Sequence, residues 1–222
     1  MTNSSADIGV IIECENDVQR GLAILCRDCA FMRAAHAAAG DPPLRRSTPD
    51  FAGLARIVVG QQVSIASAAA IWGRLEMAVV PFEADVLRRK RENTLRKAGL
   101  SAGKIKTLRA AAEAFSSGDL DADVLVGMPE AAVRGRLVEI HGIGPWTADI
   151  YAMFCLGRAD AFAPGDLALQ VAAQHLMAFE ERPAAEKLAE LAETWRPWRG
   201  VAARMLWAYY RVIKQGGSAS PI

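Results

Sequence analysis

Apolar residues recur every three to four positions along most of this 222-residue chain, which is the spacing of one face of an α-helix. The stripe that begins at Val18 and Leu22 predicts a first helix over about 17–38. No stretch alternates apolar and polar residues over the length of a strand, and alanine, a good helix former, is abundant. The pattern therefore predicts an all-α protein of about ten short helices.

Turn and capping residues divide the rest of the pattern into further helices. Thr48-Pro49-Asp50 supplies a capping hydroxyl and a proline for a helix start, and Gly99 and Gly118 each predict a helix end. Ser101 predicts another N-cap, and the tail at 215–222 is expected to be flexible. The remaining helices are predicted from the Thr48 start to an interruption at Gly60, and over about 64–75, 85–98, 104–117, 129–139, 146–156, from 166 onward, 183–194 and 198–214.

Charge is balanced over the whole chain, with 26 Lys and Arg against 25 Asp and Glu, so the net charge of +1 predicts no acidic partner. Binding of nucleic acid would therefore need a local basic cluster. Residues 88–109 provide one, because Glu92 is the only acidic residue among nine basic ones. This cluster is interpreted either as a solvated helix face or as a surface that faces a DNA duplex.

Cysteine usage, hydropathy and the N-terminus exclude several classes of protein. Cys26 and Cys29 have the spacing of a redox motif or half a zinc site, but no second pair completes a metal site. They also fall in a helical pattern, so core packing is favoured over a redox role. No run of about 18 apolar residues and no signal peptide is present, which predicts a soluble, cytoplasmic protein without metal or cofactor, associated with the nucleoid in a bacterium.

The segment Leu137–Ala148 carries the first chemical signal. Its Gly142-Ile143-Gly144 turn lies between two predicted helices, so main-chain N–H groups and a helix N-terminus can approach an anion closely. A short turn of this composition is often only a connection. The whole string, however, resembles the hairpin of the helix–hairpin–helix DNA-binding motif, which holds the phosphates of one strand through backbone amides.

A second signal follows in Asp160-Ala-Phe162-Ala-Pro164-Gly165-Asp166, where Asp166 lies about 22 positions after Gly144. Together with the hairpin it resembles the helix–hairpin–helix/Gly-Pro-Asp DNA glycosylase superfamily, in the branch typified by DNA-3-methyladenine glycosylase II. The resemblance implies that Asp166 is the catalytic carboxylate and that Asp160 is structural. The position of Asp166 is also typical of an ordinary helix N-cap. The two roles are compatible, because a helix N-terminus favours a carboxylate anion.

The resemblance covers most of the chain and assigns further roles. It implies two helical lobes with a DNA cleft between them, in a short form that lacks the N-terminal β domain of longer relatives. The central lobe, 41–158, would contain the hairpin, and a second lobe, 16–40 plus 159–214, would contribute the catalytic aspartate. The implied DNA-binding residues are Gly142, Gly144, Thr147, Gln61, Gln62 and Ser64, and the implied base pocket contains Trp146 and Trp207.

Some residues depart from the wider superfamily. Bifunctional relatives carry a Schiff-base lysine two positions after the second hairpin glycine, where this chain has Trp146, so lyase activity is not expected. No cysteine follows Cys155, so the iron–sulfur cluster of some relatives is not expected either. Ile150 stands where some relatives have a pocket tyrosine, and Tyr151 would face elsewhere on the helix.

These observations predict a monomeric, monofunctional DNA glycosylase of base-excision repair. It would flip an alkylated purine, such as 3-methyladenine or 7-methylguanine, out of duplex DNA and hydrolyse its N-glycosidic bond, leaving an abasic site. Two alternatives stay open: a glycosylase of the same fold for deaminated or oxidised bases, and a non-catalytic helix–hairpin–helix DNA-binding protein. A redox protein that uses Cys26 and Cys29 is a more distant third.

Overall fold

The computed structural model describes residues 8–216, which form two compact units. One unit is Ser47–Leu156, and the other combines Ile8–Arg46 with the described residues from Gly157 onward. Helices make up both units, and within residues 8–216 the only β pairing is one antiparallel bridge between Ile11 and Arg158. The prediction of an all-α protein is confirmed.

Thirteen α-helices lie in the described part of the chain, together with a 3-10 helix at Glu193–Trp195. Among these helices, none has both the length and the apolar content that a membrane span requires. The α-helices are α1 (Glu15–Asp28), α2 (Ala30–Ala39), α3 (Phe51–Gly60), α4 (Ile65–Ala78), α5 (Ala84–Arg89), α6 (Glu92–Lys97), α7 (Ala102–Ser117), α8 (Ala122–Gly127), α9 (Glu130–Val138), α10 (Pro145–Phe154), α11 (Leu167–Leu176), α12 (Ala185–Ala192) and α13 (Arg199–Gly216).

The core of the Ser47–Leu156 unit forms where α3 packs against α4, α7 and α10. Leu54 and Leu108 are fully buried there, and burial of such a side chain contributes roughly 1.5–3 kcal/mol. Phe51 extends this core by stacking on Phe82, with ring centroids 5.8 Å apart. Tyr151 is fully buried in this core, and its hydroxyl donates to the Pro49 carbonyl at 2.7 Å.

The other unit is built around α13, which packs against α1, α2 and α11. Val201 and Leu206 of α13 are fully buried in this core. Helix α1 approaches the start of α13 closely at Gly21, where an added Cβ would lie 2.5 Å from the ring of Trp198, just before α13, and 2.9 Å from Val201. The first helical segment therefore packs on the C-terminal helices of its own unit.

Two predicted helices are each divided in two. The segment 17–38 breaks at Cys29, whose backbone is extended, and the guanidinium of Arg33 donates to the Cys26 carbonyl at the end of α1. The segment 85–98 breaks at Lys90, where Arg109 donates to the Lys90 carbonyl at 3.0 Å. In both places a tertiary hydrogen bond satisfies a carbonyl that a continuous helix would have used, so packing overrides local propensity.

Smaller differences occur at helix ends. Asp50, not the Thr48 hydroxyl, caps α3, because its carboxylate accepts the Gly53 N–H at 3.0 Å. Helix α8 was not predicted, and Asp121 caps it through two main-chain N–H groups. Residues 215 and 216 of the predicted tail belong to α13, and the rest of that tail lies outside the described residues.

Candidate functional site

Asp166 lies where the loop that follows α10 ends and α11 begins. Its own N–H donates to the Ala163 carbonyl at 3.0 Å, which closes the turn through Pro164 and Gly165. Its Oδ1 accepts the main-chain N–H groups of Ala168 at 2.9 Å and Leu169 at 3.1 Å. Asp166 is therefore the N-cap residue of α11, with its carboxylate at the positive end of the helix dipole.

The indole of Trp207 supplies a third donor to the same oxygen. Trp207 lies half-buried on α13, and its Nε1 donates to Asp166 Oδ1 at 3.1 Å. Three N–H groups thus orient one carboxylate oxygen and stabilise negative charge on it. Sequence reasoning assigned Trp207 to a base pocket, which stays a prediction. The hydrogen bond adds a positioning role that the sequence did not indicate.

The loop that carries Asp166 is anchored in its own unit by main-chain hydrogen bonds and by ion pairs of Asp160. Near its start, the Ile12 N–H donates to the Gly157 carbonyl at 2.7 Å, and the Gly200 N–H donates to the Ala159 carbonyl at 2.7 Å. Asp160 is ion-paired with Arg196 and, through Oδ1 at 3.0 Å and Oδ2 at 2.9 Å, with the guanidinium of Arg199. These contacts support the structural role implied for Asp160.

The hairpin between α9 and α10 requires a glycine at position 142. Gly142 has φ +82°, in the left-handed region, and an added Cβ would lie 1.9 Å from the Thr107 hydroxyl oxygen. Ile143 between the two glycines is buried, and its N–H donates to the Ile140 carbonyl at 3.0 Å. Gly142 is therefore held by α7, and it shapes the turn from inside the protein.

Gly144 is different, because the surrounding protein does not require a glycine there. It is the N-cap of α10, with φ −95°, and no atom lies within 4 Å of an added Cβ. Open space beside the first turn of a helix allows a ligand to approach the backbone closely. Trp146, the second residue of α10, is half-buried, and its base-pocket role stays a prediction.

Two predicted DNA-binding segments meet through one hydrogen bond. Gln61, which follows α3, donates from Nε2 to the Thr147 hydroxyl at 2.8 Å. Thr147 as a whole residue is only 2% exposed, so the structure places it inside the protein, and its contact with DNA stays a prediction. Beyond Gln61, the turn exposes Gln62 at φ +55° and then Ser64, which caps α4 by accepting the Ser67 N–H.

The basic cluster over 88–109 is partly neutralised within its unit. Arg88 pairs with Glu113 at 2.8 Å, and Arg96 pairs with Glu92 at 2.6 Å. Lys104 donates from Nζ to the Val59 carbonyl at 2.8 Å, and burial lowers the pKa of its ammonium group. Lys104 thereby supports the end of α3, immediately before the Gln61 turn, which fits the structural interpretation of the cluster better than a continuous DNA-facing surface.

Comparison with known families decides the family of this chain. A model of the HhH-GPD superfamily, described as base excision DNA repair proteins, matches residues 55–197. The chain belongs to this superfamily. The matched region contains the hairpin at Gly142 and Gly144 as well as Asp166.

Curated proteins similar to this superfamily member include several named for repair of alkylated DNA. A probable bifunctional transcriptional activator/DNA repair enzyme AlkA of Mycobacterium tuberculosis is 45% identical over 33% of this chain and 14% of its own. The putative DNA-3-methyladenine glycosylase YfjP of Bacillus subtilis is 32% identical over 42% of this chain and 32% of its own. DNA-3-methyladenine glycosylase 1 of Schizosaccharomyces pombe is 30% identical over 69% of each chain. The chain thus spans less than a third of the length of the first two relatives.

Two solved structures resemble the chain over most of its length. The 3-methyladenine DNA glycosylase of Schizosaccharomyces pombe, solved with abasic DNA, gives a TM-score of 0.77 at 25% identity and covers 85% of this chain and 95% of its own. A DNA-3-methyladenine glycosidase of Bacillus halodurans gives 0.72 at 32% identity and covers 91% and 92%.

Sequence reasoning missed residues of this superfamily member that support the hairpin and the Gln61 turn from neighbouring helices. Thr107 forms the contact that excludes a side chain at Gly142, and Lys104 supports the turn before Gln61. Neither residue carries a local signal, because a threonine or lysine within a helix is ordinary. Two contacting pairs, Gln61 with Thr147 and Trp207 with Asp166, had both members among the predicted residues, although their contacts were not foreseen.

Proposed function

We propose that this protein is a monofunctional DNA glycosylase that removes alkylated purines from duplex DNA. The observation that carries the proposal is the Asp166 carboxylate, capped on α11 and bound by the Trp207 indole, in a chain of the HhH-GPD superfamily. The names of relatives and structural neighbours, several of them 3-methyladenine DNA glycosylases, support alkylated purines as the substrate class.

The proposed reaction needs a carboxylate more than it needs an acid. Alkylation of N3 or N7 makes the purine cationic, so the base departs with the electron pair of the broken C1′–N bond without prior protonation. The sugar then develops oxocarbenium character, which the negative charge of Asp166 stabilises. Water adds to C1′ and its proton passes to the carboxylate or to solvent, leaving an abasic site and the free base.

In the proposed complex, main-chain groups at the hairpin hold the backbone of the DNA strand. Gly144 leaves open space at the first turn of α10, where helix N–H groups attract a phosphate. The turn with Gln61, Gln62 and Ser64 is held to α10 through Thr147, so both segments would contact the same duplex. Such contacts are mostly independent of sequence, which suits an enzyme that inspects many sites.

Absence of lyase activity is part of the proposal. Trp146 occupies the position at which bifunctional relatives place their lysine, and an indole cannot form a Schiff base. Wild-type protein is expected to leave the DNA strand intact, and the strand is expected to break at the abasic site only after alkali treatment. Treatment with borohydride during the reaction is expected to trap no covalent protein–DNA adduct, and a trapped adduct would reject the monofunctional assignment.

The deciding experiment measures base release from a methylated duplex by wild type and Asp166→Asn. An asparagine can still accept the Ala168, Leu169 and Trp207 N–H groups, so the substitution removes charge with little effect on the cap. We expect release of 3-methyladenine or 7-methylguanine to fall roughly 10²- to 10³-fold, while DNA binding persists.

Asp121→Asn is the matched control for this substitution. Asp121 also caps a helix through two main-chain N–H groups, those of Asp123 at 2.8 Å and Val124 at 3.1 Å, but it lies on α8 in the other unit. Its variant is expected to keep wild-type activity. Release from uracil or oxidised-base duplexes alone would favour the alternative glycosylase, and binding without any release would favour a non-catalytic module.

We also propose that the protein acts on DNA as a monomer in the cytoplasm, at the nucleoid in a bacterium. The DNA complex of its structural neighbour supports DNA as the partner. Sedimentation of the protein alone and with one equivalent of a short duplex tests this. One protein per duplex is expected, and a concentration-dependent dimer would contradict it.

A further inference from the structure

Lys104 is a half-buried lysine of α7 whose charge is not neutralised by a carboxylate. Its Nζ donates to the Val59 carbonyl at 2.8 Å, and in the range 8–216 it forms no ion pair. Arg88 of the same basic cluster is paired with Glu113 at 2.8 Å. Lys104 therefore presents a positive charge that the surrounding protein leaves uncompensated, while its position is fixed by a neutral acceptor.

Helix α7 places Lys104 beside both segments that are proposed to contact DNA. Val59 belongs to the last turn of α3, two positions before Gln61 begins the turn toward α4. Thr107 lies three positions after Lys104, hence on the same face of α7, and it packs directly against Gly142 of the hairpin. The face of α7 that carries Lys104 thus faces the Gln61 turn and the hairpin.

The Gln61 turn and the hairpin are also held to each other. Gln61 Nε2 donates to the Thr147 hydroxyl at 2.8 Å, and Thr147 is in the first turn of α10, three positions after Gly144. Phosphates follow one another along a strand, with one charge per about 3.4 Å of helix axis. A strand that approaches the open space at Gly144 therefore brings neighbouring phosphates toward the same group of helix ends.

The ammonium group of Lys104 has the capacity to bind a phosphate. It carries three N–H donors, and within the described part of the chain only the Val59 carbonyl accepts from it. Burial alone lowers the pKa of this group, with no contribution from a neighbouring charge. A negative oxygen beside the ammonium would replace the stabilisation that burial has removed.

We propose that Lys104 binds a backbone phosphate of the DNA strand, with one N–H group on the Val59 carbonyl and the others directed to phosphate oxygens. This inference rests on the proposed function, in which the Gln61 turn and the hairpin contact one duplex. Lys104 then connects the bound strand to the end of α3, so that phosphate binding also fixes the turn that follows it. An ammonium group serves this purpose as a point charge.

The proposal concerns one contact and not the whole basic cluster, so Lys106 supplies the matched control. Lys106 is exposed and lies two positions after Lys104, which turns its side chain by about 200° around α7. Lys106→Met therefore makes the same change of side chain and charge on the same helix, but on a different face. Lys104→Met keeps the aliphatic stem and removes the charge, and Lys104→Arg restores the charge.

Binding to a duplex with a non-hydrolysable abasic analogue, measured over a series of salt concentrations, tests the contact. Lys104→Met is expected to bind about tenfold more weakly at low salt, and the slope of log affinity against log salt is expected to fall by about 0.9, which is one phosphate contact. Lys104→Arg and Lys106→Met are expected to keep the wild-type slope. A lower affinity of Lys104→Met with an unchanged slope would show that Lys104 only supports α3, and would overturn the phosphate contact. An equal change of slope in Lys106→Met would assign the effect to the cluster as a whole and would overturn it too.

A methylphosphonate scan identifies the phosphate. One neutral linkage is expected to weaken binding by wild type and by Lys106→Met about tenfold, and to leave Lys104→Met unaffected. If Lys104→Met loses the same additional affinity as wild type at every substituted linkage, the proposal is wrong.

Chemical acetylation of the wild-type protein, read by mass spectrometry, tests the contact without any substitution. The duplex is expected to slow acetylation of Lys104 and to leave the rate at Lys106 nearly unchanged. A rate at Lys104 that is the same with and without the duplex would overturn the proposal, even if Lys104→Met did not fold.

These outcomes can be told apart from those of the proposed function. The binding series uses an analogue that releases no base, so it does not depend on catalysis. A wild-type protein that binds the duplex but releases no methylated base would overturn the glycosylase assignment alone. Normal base release together with a wild-type salt dependence in Lys104→Met would overturn the phosphate contact alone.

Discussion

The indole nitrogen of Trp207 donates a hydrogen bond of 3.1 Å to Oδ1 of Asp166, and so connects α13 to the N-cap of α11. The same oxygen already accepts two main-chain N–H groups, so its position is determined by three donors from two helices. A carboxylate held in this way needs little reorganisation when charge develops beside it. The aromatic residue predicted to stack on a base is thus also a positioning residue for the carboxylate.

Trp207→Phe separates these two roles, because phenylalanine keeps an aromatic face and loses the N–H donor. A hydrogen bond to a charged group contributes about 1.5 kcal/mol, so the single-turnover rate of base release is expected to fall about tenfold. Affinity for a duplex with an abasic analogue is expected to stay within about twofold of wild type. An unchanged rate with a raised KM would instead indicate that stacking on the base is the main role of Trp207.

The two hairpin glycines are expected to respond differently to alanine. Gly142→Ala places a Cβ at φ +82°, 1.9 Å from the Thr107 hydroxyl oxygen, and is expected to lower the free energy of unfolding by roughly 2–4 kcal/mol. Gly144→Ala meets open space at φ −95° and is expected to leave stability within about 0.5 kcal/mol of wild type, because alanine is tolerated there.

The affinity for duplex DNA is the second property that distinguishes the two glycine variants. If Gly144 serves the approach of a phosphate, Gly144→Ala weakens duplex binding several-fold although the protein remains as stable as wild type. Thr107→Ala combined with Gly142→Ala is expected to restore part of the lost stability, since the nearest clashing atom is removed. Chemical denaturation and fluorescence anisotropy measure the two properties, and equal stability of Gly142→Ala and Gly144→Ala would refute this account of the turn.

A double-mutant cycle between Gln61 and Thr147 measures how tightly the α3 turn is held to α10. Thr147→Val keeps the buried shape and removes the hydroxyl that accepts from Gln61 at 2.8 Å. The coupling free energy for Gln61→Ala with Thr147→Val is expected to be about 0.5–1.5 kcal/mol. Gln62→Ala provides the control, because Gln62 is exposed and is expected to show no coupling to Thr147→Val.

Asp160→Asn tests the anchor of the loop that carries Asp166. Asp160 binds the Arg199 guanidinium through both carboxylate oxygens and has 20% side-chain exposure, so its loss is expected to destabilise the protein by about 1–3 kcal/mol. Glu193→Gln is the matched variant, because Glu193 pairs with the same arginine but is 54% exposed and is expected to change stability little. Thermal unfolding of both variants decides this, and equal melting temperatures would contradict the anchoring role.

Local signals in the sequence were sufficient for most helix ends. Gly118 ends α7 in the left-handed conformation, and Ser101 begins it by accepting the Lys104 N–H at 3.3 Å. Such signals act between residues a few positions apart, so a single sequence contains all the information they need. The breaks at Cys29 and Lys90 were missed because side chains from other turns or helices, Arg33 and Arg109, satisfy the carbonyls there.

By itself the sequence determined the helical fold class, because helical periodicity depends on the spacing of neighbouring residues. The resemblance of its motifs to a known superfamily identified the hairpin with Gly142 and Gly144 and the candidate carboxylate Asp166. Only the tertiary structure decided which side chains act on these elements. Gln61 meets Thr147 across 86 positions, Trp207 meets Asp166 across 41, and Lys104 meets Val59 across 45. Hydrogen bonds act over a few ångströms in space, whatever the separation along the chain, and so only folding brings such pairs together.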